Sequence, residues 1–228
     1  MELLQTVDFW TGLLKIIWIN IILSGDNAVV IALAARSLQP QQQKRAILLG
    51  SGAAVLLRIA LTIVAAKLLA MPYLQIAGGL LLLWVGVQLL REEEENTKNV
   101  KEHGNLIAAV RTILVADVVM SLDNVIAVAA AAQGNRLLLV LGLAMSIPLV
   151  IFGSAMMIKL MERFPAIVVL GAGLIGWVAG ETIAGDLCLH DVIGSHHWLH
   201  YLAAALGATL VVGVGRLLAS RDRGSAVP

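Results

Sequence analysis

Charge is scarce in this chain of 228 residues. Asp, Glu, Lys and Arg together make up 14%, against roughly 25% in an average soluble domain. That excludes a disordered chain and a coiled coil. The net charge of +1 leaves no global field to recruit nucleic acid. Cysteine is limited to Cys188, so neither an intramolecular disulfide nor a CxxC metal knuckle can form. No Walker motif, His-Glu-x-x-His or Gly-x-Ser-x-Gly is present, so ATP coupling would need another chain, and an intramembrane enzyme is disfavoured.

What the chain has instead is apolar length. Hydrophobic residues reach 59% and the mean hydropathy is +0.89. A soluble core of this size has no use for so much apolar surface, whereas a bilayer does. With about 20 apolar residues per crossing, the sequence predicts an all-α polytopic membrane protein forming one transmembrane domain over 1–228. Its seven spans lie at 9–35, 47–70, 73–90, 107–133, 136–160, 166–186 and 198–218. Polar breaks separate them: Ser37 to Arg45, Pro72, the Arg91–Gly104 loop with Glu92-Glu93-Glu94-Glu95, Gly134-Asn135 and Pro165. The N-terminal stretch does not read as a cleaved signal peptide, because Glu2 and Asp8 stand where a basic start belongs and the apolar run is too long.

Basic residues choose an orientation. Arg36, Lys44, Arg45, Arg91, Lys98, Lys101, Lys159, Arg163, Arg216, Arg221 and Arg223 fall on one side, with little beyond Lys15, Lys67 and Arg136 on the other. The positive-inside rule then puts the N-terminus outside and the C-terminus in the cytoplasm of a cell (inner) membrane.

The chain also repeats itself. Residues 24–36 read SGDNAVVIALAAR, and 121–133, which start 97 positions later, read SLDNVIAVAAAAQ. Asn20 aligns with Asp117, Lys67 and Pro72 with Lys159 and Pro165, and Trp84-Val85-Gly86 with Trp177-Val178-Ala179. Spans 1–3 thus resemble spans 4–6, and span 7 is extra. Three spans is an odd number, so the second unit enters from the opposite face. This is an inverted-topology repeat, in which transporters place their site near the midplane.

The polar residues of the repeat form the candidate site. Asp26 and Asp123 lie near the middle of spans 1 and 4, where an ionised carboxylate costs about 2.5–3.5 kcal/mol even on a lenient scale. At 100° per residue, Asn20, Ser24 and Asn27 share one face, as do Asp117, Ser121 and Asn124. Asp26 and Asp123 sit about 100° away, which requires either a wide polar wedge or local unwinding. Gly25 permits unwinding in span 1, and Leu122 makes it less expected in span 4. Glu181 is a third acid, near the end of span 6. Arg58, deep in span 2, is expected to pair with Asp117 or Glu181. The expected metal donors are Asp26, Asn27, Asp123, Asn124, Asp117 and Glu181, supported by Asn20, Ser24, Ser121 and Arg58. Carboxylate, amide and hydroxyl oxygens suit hard divalent cations, and protons can replace a departing cation. His190, His196 and His200 in the outer loop offer a second metal contact, although no fixed metal-site spacing is met and interfacial His and Trp at the membrane boundary are the favoured explanation.

The paired Ser-x-Asp-Asn segments, in SGDNAVVIALAAR and ADVVMSLDNVIAVAAA on spans 1 and 4, resemble the TerC integral-membrane family over roughly residues 9–218. That resemblance implies manganese export and metal homeostasis, with Asp26, Asn27, Asp123 and Asn124 as the matching site positions. The expected function is secondary Mn²⁺ efflux, with protons as the counter-ion, no fixed cofactor and no enzymatic activity. Ca²⁺/H⁺ exchange, or a membrane-embedded metal-sensing subunit without flux, are the alternatives. The expected partners are the divalent cation, protons and the lipid bilayer, and a homo-oligomer stays open.

Overall fold

The computed structural model describes residues 7–23, 25–69, 71–96, 105–132, 135–189, 193 and 197–224. Among these, the regular elements are all helical: α1 (Val7–Leu23), α2 (Gly25–Arg36), α3 (Pro40–Leu69), α4 (Leu74–Asn96), α5 (Leu106–Ala132), α6 (Arg136–Arg163), α7 (Ala166–Ala184) and α8 (His197–Gly224). A single 3₁₀ turn covers Leu187–Leu189.

Five helical stretches are long and apolar enough to cross a bilayer by themselves: Pro40–Val64, Leu74–Arg91, Leu137–Arg163, Ala166–Ala184 and Trp198–Ser220. The first predicted span is two helices, α1 and α2, bent by 50°; taken as one unit the pair is a sixth candidate. Gly25, which has no Cβ, opens α2 at this break. α5 runs without interruption through Ser121-Leu122-Asp123-Asn124, so the two halves differ at their matching motifs as Gly25 and Leu122 predict. α5 has 27 residues, about 40 Å at 1.5 Å per residue. Large apolar side chains such as Trp18, Leu56, Phe152, Leu170 and Leu217 point outward. So broad an apolar coat suits contact with lipid.

Local chemistry sets the helix ends. Pro40 occupies the first position of α3, where a missing N–H costs nothing, and Gln43 Nε2 donates to the Arg36 carbonyl at 3.0 Å, closing the turn from α2. Asn135 caps α6, its Oδ1 accepting from the Leu137 and Leu138 amides at 3.1 Å each. Asn105 does the same for α5 through the Ile107 amide. Phe164 ends α6, and Pro165 prevents its continuation. α4 is capped from a distance. The buried Asp186 carboxylate, just past α7, accepts from the amides of Tyr73, Gln75 and Ile76 at 3.1–3.2 Å and from that of Cys188 at 2.9 Å. Burial alone would raise the carboxyl's pKa. The donated N–H bonds outweigh it and hold Asp186 below the usual carboxylate range. The clasp also secures Tyr73 in the left-handed region, at φ 65°, where a bulky residue is strained.

Contacts in sequence register give the helix directions. Gly12, Ile16 and Asn20 of α1 lie against Leu138, Gly142 and Ser146 of α6, so these two helices run parallel. Gly50 and Arg58 of α3 lie against Ile113 and Ser121 of α5, which is again parallel. α4 and α7 are antiparallel, with Gly79 on Ala179 and Gly86 on Ile175. α7 and α8 are antiparallel as well, through Gly180 on Ala203 and Gly176 on Gly207.

Two apolar clusters divide the interior. One contains Phe9, Leu13 and Ile16 of α1, Val128 and Ala132 of α5, and Leu138 and Leu143 of α6. The other contains Val29 to Ala35 of α2, Ala109 to Met120 of α5, and Ile158 and Met161 of α6, together with parts of α4, α7 and α8. Along α1–α2 and along α6, polar residues fall between the two clusters.

Candidate functional site

Arg58 is at the centre of that polar layer and is almost fully buried. Its guanidinium donates from Nη2 to Asp117 Oδ1 at 2.5 Å, from Nη1 to Asn20 Oδ1 at 2.9 Å and from Nε to Ser121 Oγ at 2.9 Å. Ser121 Oγ donates in turn to Asp117 Oδ2 at 3.2 Å. Asn20 Nδ2 donates to Ser146 Oγ, and Ser146 Oγ donates to the Leu143 carbonyl at 2.6 Å. Thr62 Oγ1 anchors the turn above Arg58 by donating to its carbonyl at 2.7 Å. Side chains from α1, α3, α5 and α6 therefore form one network, and Asn20, Asp117, Ser121 and Ser146 are all buried.

The network decides between the two acids offered to Arg58: the ion pair is with Asp117. A buried pair of this kind must satisfy its other hydrogen-bonding groups as well. Asn20 and Ser121 do so here. Helical spacing explains the grouping on α5, since Asp117 and Ser121 are one turn apart on a face turned toward α3.

Asp26 is in the first turn of α2, partly buried, and its Oδ1 accepts the Asn27 amide at 2.7 Å. Asn27 is 3% exposed, and among the described residues neither its Oδ1 nor its Nδ2 has a hydrogen-bond partner. A buried amide left bare is costly, and such groups in native structures call for an explanation such as a bound ion or water. A cavity of about 220 Å³ opens beside the α1–α2 break, walled by Asn20, Gly25 and Ala28 on one side and Ser146 and Gly153 on the other. Its volume is that of several waters at about 30 Å³ each.

The remaining expected donors are distributed differently. Asn124 is half-buried on α5, and Asp123 belongs to the same helix, its side chain lying outside the described ones. Ser24, His190 and His196 also lie outside the described residues. His200 is half-buried near the start of α8. Glu181 is exposed on the last turn of α7. Its expected place beside Arg58 is taken by Asp117, because on α7 the inward positions next to it go to Gly180 and Thr182. Among the described residues no three His, Cys, Asp or Glu side chains converge into a preformed metal cage. Sequence reasoning missed Ser146, Thr62 and Asp186. Ser146 stands two residues before Pro148 in an otherwise apolar helix, and Thr62 one turn after Arg58; both are readable signals.

The integral membrane protein TerC family matches this chain over residues 5–223. The chain belongs to that family. It is 44% identical over 205 residues to the uncharacterized membrane protein YjbE of Bacillus subtilis, covering 90% of this chain and 94% of that protein. It is 27% identical to the inner membrane protein YoaE of Escherichia coli across 97% of this chain, although this spans only 45% of YoaE. The uncharacterized membrane protein YkoY of Bacillus subtilis matches at 24% over 88% of this chain. No solved structure matches. This TerC-family chain is thus a helical integral membrane protein in which Arg58, Asp117, Asn20, Ser121 and Ser146 meet in one buried layer.

Proposed function

We propose that this TerC-family chain is a secondary transporter of divalent metal cations, with Mn²⁺ efflux against protons as the leading reading and no enzymatic activity. The carrying observation is the oxygen-rich layer at the α1–α2 break: Asp26, the Asn27 amide (unpartnered among the described residues), Asn20, Asp117 and Ser121, next to a cavity where Asn20 and Ser146 stand in an otherwise apolar wall. Hard oxygen donors without thiolate or imidazole suit Mn²⁺, Mg²⁺ or Ca²⁺. Asp123 and Asn124, the repeat mates of Asp26 and Asn27, would complete the donor set from α5.

We read the eight helices as seven spans, with α1–α2 as a single broken one, built as a 3+3 inverted repeat plus α8. Helix neighbours support this reading. Exchanging α1–α2, α3 and α4 for α5, α6 and α7 turns the α3–α5 contact into the α6–α2 and α6–α1 contacts, and α4–α5 into α7–α2. The α2–α5, α3–α6 and α4–α7 contacts map onto themselves. The parallel and antiparallel senses fit strict alternation across the bilayer, and the basic loops then argue for the N-terminus outside and the C-terminus cytoplasmic. A broken helix at the repeat interface is the usual setting of a midplane ion site.

The test is reconstitution of the full chain in liposomes, with a panel of Mn²⁺, Ca²⁺ and Mg²⁺ and a trapped pH dye. Mn²⁺ flux with opposite proton movement is expected, and Asp26→Asn and Asp123→Asn should each abolish it while the protein still reaches the bilayer. Ca²⁺ preferred over Mn²⁺ would select the exchanger alternative. Binding without flux would select the sensing subunit.

A further inference from the structure

We propose that Arg58 is a tethered cation that occupies the polar layer when the cargo is absent, so that guanidinium and transported ion take turns on Asp117. This rests on the transport reading above. Three oxygens, Asn20 Oδ1, Asp117 Oδ1 and Ser121 Oγ, converge on the guanidinium from α1 and α5 at 2.5–2.9 Å. Asn20 and Asp117 are equivalent positions of the internal repeat, so one cation of the chain's own bridges the two halves where a carried cation would bridge them.

Two further features separate this arrangement from a static ion pair. Asp26, partly buried in the first turn of α2, follows Asn20 by six residues on the same broken span, so the half of the repeat that holds Asn20 also brings a second carboxylate toward the polar layer. The cavity of about 220 Å³ shares Asn20 with the network, so there is space beside it into which side chains can move. The physical need is plain. A carrier that has released a divalent ion must reorient with its site empty, and a buried carboxylate left without a counter-charge is strongly destabilising. Arg58 supplies that charge and keeps it attached to the protein. The incoming ion then displaces Arg58 from Asp117, and release of the ion lets it return.

The consequence is a split that a purely structural arginine does not produce. Without its resident competitor, the site should hold cargo more tightly, but the empty carrier should be stranded. In purified full-length protein, Arg58→Gln is expected to bind Mn²⁺ at least tenfold more tightly than wild type, read from the free-Mn²⁺ paramagnetic signal. In liposomes, exchange of labelled for unlabelled Mn²⁺ should persist, while net efflux falls at least tenfold. Binding, exchange and net flux falling together would make Arg58 a structural residue and overturn the proposal. If Arg58→Gln is recovered only when Mn²⁺ is present throughout purification, the rescue itself shows cargo replacing guanidinium. If it misfolds with or without Mn²⁺, the proposal falls. A wild type that binds Mn²⁺ while Arg58→Gln binds no more tightly removes this inference alone. A wild type that neither binds nor carries Mn²⁺ removes the transport reading, and this inference with it.

Discussion

The helices α1, α2, α3, α5 and α6 surround polar side chains, while α4, α7 and α8 meet backbone to backbone. In the first group, Arg58, Asp117, Asn20, Ser121 and Ser146 join four helices. In the second, Gly176 lies on Gly207 and Gly180 on Ala203, so closely that a Cβ at either glycine would collide with the neighbouring carbonyl. Both are ways to hold helices together in lipid, where apolar burial gives little net drive. They differ in what they permit. A hydrogen-bonded ion pair can exchange partners without moving its helices, whereas a glycine contact has one geometry and no substitute. The polar half is therefore suited to binding and release, and the glycine half to serving as the frame.

Removing one member of the ion pair should break the contrast most severely. Asp117→Ala leaves Arg58 buried without a carboxylate and is expected to cost about 3–5 kcal/mol. Arg58→Met combined with Asp117→Leu should recover most of that loss, because both charges go together. Thermal melts of the two singles and the double in detergent form the cycle. A double mutant no more stable than Asp117→Ala would mean the pair is irreplaceable packing, like the glycines.

Gly180→Leu should come next, at about 3 kcal/mol, the upper end of overpacking costs. No second substitution on α8 should rescue it, since the obstacle is the Ala203 backbone. Recovery by a smaller side chain on α8 would show that the frame is as adaptable as the site.

The Asp186 clasp joins the end of α7 to the start of α4 with a charge, and so tests whether the frame is wholly apolar in its dependence. Asp186→Asn is expected to cost about 2 kcal/mol, the scale of hydrogen bonds to a charged group. Its folded carboxyl titrates below the ordinary value of about 4. The stabilisation is therefore fully present above that pH and is lost as the pH falls through the lower folded value. Wild type should lose stability below about pH 4, a component the Asn variant lacks in parallel melts.

The smallest change expected is at Tyr73, whose positive φ is held by the clasp. Tyr73→Gly relieves the left-handed strain but adds freedom to the unfolded chain. The net effect should stay within about 1 kcal/mol of wild type. A loss well beyond that would mean the exposed ring carries packing that the turn needs.

Much of this molecule is legible in its residues taken in order. Apolar length, polar breaks and helix punctuation at Pro40, Asn135 and Pro165 are local signals, and most helix boundaries follow them. α3 starts at Pro40, seven residues before its expected span, and α4 continues through Glu92-Glu93-Glu94-Glu95 to Asn96, where the sequence predicts a loop, because a helix can extend beyond the apolar stretch that crosses the bilayer. The repeated Ser-x-Asp-Asn segment and the Gly25-versus-Leu122 difference point to a break in the first half and a continuous helix in the second. Arg58 is recognisable as a buried cation in need of an acid, because depth within an apolar run depends on sequence alone. Which acid it takes does not follow from sequence, because Asp117 and Glu181 are equally plausible until helix rotation puts one inward on α5 and the other outward on α7. The partners of Ser146 and Asp186 do not follow from sequence for the same reason: they are 126 and 110–113 residues away. Hydrophobicity along a chain determines what enters the bilayer and where it turns. Only packing, which fixes the rotation and register of each helix against its neighbours, decides which polar atoms meet.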